Sequence, residues 1–191
     1  MHLQTPRLTL REFEADDWPA VLAYQSDPRY LRYYEWTERT PETVRQFVGI
    51  FLAQQREQPR SRYQLAVTVT ATGELIGNCG VRRATADSLD AEMGYEIAPQ
   101  QWGHGYATEA AQAMLDFAFA DLRLHRVAAW CVADNAGSIR VLQKLGLRQE
   151  GHLRETDYFK GRWWDTLVWA ILRTEWQANR NRPAMMDGQR G

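Results

Sequence analysis

The sequence predicts a single domain of the α+β class, a mixed α/β arrangement in which a sheet of about six or seven strands is flanked by helices. Three observations carry that prediction. Met93, Tyr95 and Ile97 alternate with Glu92, Gly94 and Glu96, the period of two that a β-strand imposes, and after Pro99 the chain turns through two glycines into a helical run, Tyr106 to Phe119. Val44, Phe47, Val48, Phe51 and Leu52 recur at three- and four-residue spacing between Glu42 and Glu57, the stripe of an amphipathic helix. His125 to Val132 is almost continuously apolar, as expected of a strand covered on both faces.

The remaining elements follow in chain order. Arg7 to Phe13 alternates as a half-exposed strand. Asp16 and Asp17 supply capping carboxylates and Pro19 suits a first helical turn, so a helix runs to about Ser26, where Pro28 stops it. Thr40 and Pro41 repeat the start signal for the helix that Pro59 closes. Tyr63 to Val69 and Leu75 to Val81 form a hairpin around Gly73, and a polar loop, Arg82 to Asp90, leads into the Ala91 strand. After the His125 strand, Asn135 and Ser138 cap a short helix with Ile139, Leu142 and Leu145 facing inward and Gly146 at its C-terminal end. Gly151 to Leu172 reads as two strands joined near Lys160 and Gly161. Beyond Glu175 the chain is polar and aperiodic, so the domain is expected over residues 5–176 with a mobile tail over 177–191.

Composition narrows the function. A chain of 191 residues with 45% hydrophobic content suits one globular core. Lys plus Arg number 23 against 24 Asp plus Glu, a net charge of −1 that offers no bulk attraction for nucleic acid or an anionic membrane. The N-terminus lacks a charged segment followed by an apolar run, and a cytoplasmic location is expected. Cys79 and Cys131 sit within strands as small hydrophobes, and His2, His104, His125 and His152 are scattered without ligand spacing, so no metal is expected.

The chemistry concentrates in Gln100 to Gly105. Glycines at 103 and 105 admit positive φ and close approach to the backbone at a helix N-terminus, where consecutive N–H groups converge on an anion such as a phosphate. The segment fits neither a P-loop nor a dinucleotide fingerprint. It matches Q/R-x-x-G-x-G/A, the pyrophosphate-binding signature of the GNAT superfamily of N-acetyltransferases, and its continuation through Tyr106, Ala107, Thr108 and Glu109 resembles the bacterial branch that acetylates ribosomal-protein N-termini. The segment from Asn135 through Ser138 and Lys144 to Gly146 resembles a second family signature, and Lys160-Gly161 before Trp163, Trp164 and Asp165 resembles the branch's closing hairpin.

The resemblance implies a strongly twisted sheet in which the Ala91 and His125 strands run parallel and then splay into a V-shaped cleft for acetyl-coenzyme A. Its pyrophosphate would meet the amides of Gln101, Trp102, Gly103, His104, Gly105, Tyr106 and Ala107, its pantetheine the backbone of Met93, Tyr95 and Ile97, and Asn135 and Ser138 would flank the arm. The reaction implied is direct acyl transfer to an amine. A base must take a proton from an ammonium of reference pKa ~8, and donors must meet the oxyanion and the leaving thiolate. Backbone N–H groups near Gly94 to Glu96 suit the oxyanion. Glu92 and Glu96 share a strand face and are candidate bases, and Asp157 aligns with a carboxylate that serves as base in the resembling branch.

Two departures matter. Leu142 occupies the position where many members carry a tyrosine that protonates the thiolate, a role Ser138 fills in the resembling branch, and Trp130 stands where some members keep a glutamate. Glu35, Trp36 and Tyr158 are expected acceptor contacts, although aromatic residues around Tyr30 to Trp36 equally suit core packing. The acceptor is expected to be a peptide or protein N-terminus, with a small amine such as a polyamine, amino sugar or antibiotic as the alternative. A non-catalytic acyl-coenzyme A sensor, and a nucleic-acid module using the tail arginines, are weaker readings. Trp163 and Trp164 on the last hairpin would suit a homodimer.

Overall fold

The computed structural model describes residues 1–181. Eight strands form one sheet, β1 (His2–Gln4), β2 (Leu8–Arg11), β3 (Arg62–Val69), β4 (Leu75–Arg82), β5 (Asp90–Ile97), β6 (Arg126–Val132), β7 (Arg148–Phe159) and β8 (Arg162–Leu172), in the order β1-β2-β3-β4-β5-β6-β8-β7. The helices are α1 (Trp18–Gln25), α2 (Pro28–Leu31), α3 (Pro41–Gln54), α4 (Tyr106–Ala120), α5 (Ala136–Lys144) and α6 (Arg173–Arg180).

Every strand pair is antiparallel except β5 with β6. That parallel ladder holds only Asp90, Ala91 and Glu92 against Arg126, Val127 and Ala128. Beyond it the two strands part, while β5 stays paired to β4 as far as Ile97 and β6 stays paired to β8 as far as Val132. The cleft expected from the resemblance is therefore present in the register.

The period-two pattern sorts side chains onto two faces. Leu65, Val67, Met93 and Ile97 pack with Met114, Leu115 and Phe119 of α4 in one core. Ala66 belongs to a second core with Val21 and Tyr24 of α1 and Val44, Val48 and Phe51 of α3. Thr40 accepts a 3.3 Å hydrogen bond from the Thr43 N–H to start α3, as the Thr-Pro signal predicts.

Four features differ from the sequence reading. An eighth strand, β1, pairs Leu3 with Leu10, and three residues are too few to announce a period. Pro28 does end α1, but it also opens the single turn α2, because the Asp27 carboxylate accepts from the Arg29 N–H at 2.8 Å. The expected tail, 177–191, starts inside helix α6: Glu175 accepts the Leu172 N–H at 3.0 Å, and Trp176 donates to Asp116 at 2.7 Å and lies on Phe119. Together with the ion pairs Arg180–Asp116 and Arg148–Glu175, both at 2.9 Å, that docked aromatic holds a helix whose composition shows no apolar stripe. The rest of the expected tail, 182–191, lies outside the described residues. On the last hairpin Trp164 is core, stacked on Phe159 at 4.9 Å, whereas Trp163 is exposed beside Tyr158.

Candidate active site

The parted strands open a cavity of about 880 Å³ on the α4 and α5 side. Gly103 and Gly105 take φ of +83° and +81°, values that L side chains rarely adopt, and carry the chain around the turn before α4. Gly105 is the N-cap and supplies no side-chain acceptor, so the first amides of α4 lack the partner a capping serine would give them. Tyr106, Ala107 and Thr108 line the cavity at that helix end, and the exposed cations Arg140 and Lys144 line it from α5. Free amides, a helix dipole and two cations suit a phosphate-bearing ligand.

The turn is braced from the link between β1 and β2. Glu109 accepts from the Thr5 hydroxyl at 2.6 Å and from the Arg7 backbone at 2.9 Å, and pairs with the Arg7 guanidinium, which also donates to the His104 carbonyl. Burial pushes the Glu109 carboxyl up, but those bonds outweigh it and hold the group below its usual range.

A second cavity of about 360 Å³ opens through the sheet toward α1 and α3. Its floor is a chain of bonded side chains. Arg82 donates to Gln64 at 3.1 Å, Gln64 to Asn78 at 2.6 Å, and Asn78 to Glu96 Oε2 at 2.8 Å. Gln25 at 3.0 Å and Tyr24 at 3.1 Å donate to the same oxygen, and Arg39 fixes Gln25 from behind at 2.9 Å. Among the described residues Glu96 Oε1 meets only the Tyr34 hydroxyl, at 3.5 Å. Burial, then the charge of Glu96, keeps Tyr24 and Tyr34 protonated.

The two cavities share Tyr34, Tyr95, Glu96, Trp130 and Ser138. At this junction Tyr95 and Ser138 share a hydrogen bond of 2.9 Å across the cleft, from β5 to α5. Burial holds the Tyr95 hydroxyl above the ordinary tyrosine range, so the pair keeps its protons. The Cys131 thiol lines the larger cavity and is likewise raised by burial, while Cys79, in the core, is pushed up to about 12.

Most of the sequence-derived residues converge. Tyr95, Ile97, Gln101, Trp102, Gly103, Gly105, Tyr106, Ala107, Asn135 and Ser138 line the larger cavity, and Met93 lines the smaller. Asn135 accepts the Ser138 N–H at 3.1 Å, so it caps α5 as well as facing the cleft. Asp157 stands exposed at the rim, accepting from Thr166 at 2.8 Å. Glu92 is exposed at the closed end of the splay and lines neither cavity. The His104 side chain stays outside, stacked on Tyr106. Glu35 and Tyr158 are exposed and also line neither, while Trp36 stacks on Tyr34 at 4.7 Å within the second core. The aromatic segment reaches the cavity through Tyr30, Tyr33 and Tyr34 instead. Sequence reading missed Gln25, Gln64, Asn78 and Arg82. A signal was available in β4, where Gly77, Asn78 and Gly80 interrupt an apolar run.

A family model for the GNAT acetyltransferase domain matches residues 7–148. The uncharacterized N-acetyltransferase YnaD of Bacillus subtilis is 34% identical over 92% of this chain and 99% of its own length. A GNAT-family acetyltransferase structure from Bacillus anthracis superposes with a TM-score of 0.80 at 32% identity, covering 92% of this chain and all of that one. RimJ from Mycobacterium smegmatis, solved with CoA-disulfide, gives 0.76 at 26% identity over 92% and 87% of the two chains. The spermidine N(1)-acetyltransferase of Vibrio cholerae is 25% identical over 89% of this chain and 95% of its own.

Proposed function

This chain belongs to the GNAT family of N-acetyltransferases, and we propose that it moves an acetyl group from acetyl-coenzyme A directly to the α-amino group of a peptide or protein N-terminus. The observation that carries this reading is the meeting of the two cavities at Tyr95, Ser138 and Glu96. A donor held on the glycine turn and an acceptor entering from the α1 and α3 side reach each other only there.

The donor brings a thioester carbonyl and a thiolate leaving group. The edge of β5 beyond Glu92 has no strand partner on its β6 side, so its backbone groups are available to the pantetheine amides and to the negative charge that develops on the carbonyl oxygen. The Tyr95 and Ser138 hydroxyls stand ready to hydrogen-bond the departing sulfur. In this arrangement Tyr95 reaches across from the strand opposite Leu142, where the usual tyrosine is missing. Glu96 is the junction carboxylate. Three donors already occupy Oε2, so it receives the ammonium proton through Oε1 or a water there. Asp157, at the rim, is the second candidate for that proton.

A polyamine acceptor is the other reading, favoured by the Glu96 carboxylate, which would attract any cationic amine. The deciding experiment measures thiol release from acetyl-coenzyme A with free peptides, the same peptides blocked at the N-terminus, polyamines and aminoglycosides. Release with free peptides alone is the expected result, and release with small amines alone overturns the peptide reading.

A further inference from the structure

The floor of the smaller cavity carries opposite charges at its two ends. Glu96 stands at the reaction junction, and Arg82 stands at the other end of the bonded chain that passes through Gln64 and Asn78. Building on the proposed transfer to an α-amino group, we infer that the acceptor carries a carboxylate close to its reacting amine, and that Arg82 binds it.

Three features support the inference. Gly80 and Gly94 face each other in register, and both are covered by polar heads. A Cβ at Gly94 would lie 3.1 Å from Arg82 Nη2, and one at Gly80 would lie 2.4 Å from Gln64 Oε1. The two terminal nitrogens of the guanidinium therefore point edge-on at the strand over Gly94, and the half-buried head lines the cavity.

Among the described residues its only hydrogen bond is to a neutral oxygen, that of Gln64. A guanidinium has five N–H donors and favours a bidentate carboxylate. Glu92 is its register partner on β5 and Arg62 its partner on β3, yet among the described residues no carboxylate lies within ion-pair distance of Arg82, and Arg62 turns to Glu57 at 3.7 Å. A half-buried cation facing a cavity without a counter-ion awaits an anion.

The spacing sets the length of the ligand. The guanidinium lies over Gly94, two residues before Glu96 on the same strand, or about 7 Å at the usual rise per residue. That span fits an amine and a carboxylate of one residue or of adjacent ones: a peptide beginning with an acidic residue, or a free amino acid. Phe47, Phe51 and Trp130 supply apolar walls for the atoms between. A polyamine would set a second cation against Arg82.

The test compares acceptors that differ by one group. Initial rates are measured with peptide pairs carrying Glu or Gln at the first or second position, with free methionine and methionine amide, and with spermidine. Binding of each to the coenzyme A-loaded protein is measured by calorimetry, so that the question is answered even where turnover is absent. Acidic acceptors are expected to exceed their neutral counterparts about ten- to hundredfold in kcat/KM or affinity. In Arg82→Met that ratio collapses toward one, and Arg82→Lys restores part of it. The peptide and free amino-acid arms separate the two sources of the same chemistry. Equal use of Glu and Gln peptides by the native enzyme overturns the inference while leaving N-terminal acetylation intact. Rejection of all peptides alongside a strong acidic preference among other amines overturns the peptide reading instead. An undiminished ratio in Arg82→Met also overturns the role of Arg82.

Discussion

The two cavities of the cleft are built from different material. On the side proposed for the donor the polar groups are mainly backbone amides exposed by glycines with positive φ, with cations at the rim. On the side proposed for the acceptor they are side chains from α1, β3, β4 and β5, each bonded to another before any ligand arrives. A backbone site tolerates many side chains but no change of conformation. A side-chain network tolerates neither the loss nor the reorientation of a member.

Several substitutions test this contrast, and the largest effect is expected where the two sides meet. Ser138→Ala should lower kcat about 10²- to 10³-fold, on the scale of losing one donor to a developing charge, with little change in the KM for acetyl-coenzyme A. An equal loss of binding would show that Ser138 serves the donor site alone. Gly105→Val forces a branched residue into a left-handed conformation costing about 1–3 kcal/mol, and should raise the Kd for coenzyme A some ten- to hundredfold while acceptor KM stays put. Calorimetry and steady-state rates separate the two. Asn78→Ala should do the reverse, raising acceptor KM and leaving coenzyme A affinity alone. It also strands the buried Gln64 amide N–H and takes one of three donors from Glu96, at about 1–3 kcal/mol in urea denaturation.

The smallest effect is electrostatic. The Glu109 carboxyl is held below its ordinary range, so its contribution is present above the unfolded value of about 4.3 and fades as pH falls through the folded value below it. Glu109→Gln should therefore cost ~0.2–1 kcal/mol at pH 7, the scale of an exposed pair, and nothing once both forms are protonated. Parallel acid melts that never converge would mean that Glu109 acts through packing.

The same contrast explains what the sequence reveals. The donor side is legible because the backbone makes it: glycines two apart before a helix, and Asn135 three residues before Ser138, are spacings along one segment. The acceptor floor has no such spacing. Gln25, Gln64, Asn78 and Arg82 are brought together by strand register and by the docking of α1, and a lone amide in a strand looks the same whether it faces water or a cleft. The aromatic segment illustrates the limit from the other side. Composition marks Tyr30 to Trp36 as either wall or core, and only the turn of α2 sends Tyr34 to the junction while Trp36 stacks behind it. Likewise α6 is held by tertiary anchors, Trp176 on Phe119 and the ion pairs of Arg180 with Asp116 and of Glu175 with Arg148, which leave no local period.

If the acyl donor binds the open edge of β5 as proposed, the short ladder between β5 and β6 ties folding to metabolite supply. A sheet whose central pair holds for only three residues on each strand is incomplete by itself, and a donor that bonds the open edge binds the native chain but not the unfolded one. Mass action then sets the apparent stability: at a free donor concentration a hundred times the Kd, the gain is about 2.7 kcal/mol. The melting temperature of this protein should accordingly rise and fall with the concentration of its own acyl donor, and a chain starved of it should be the easier prey for a protease.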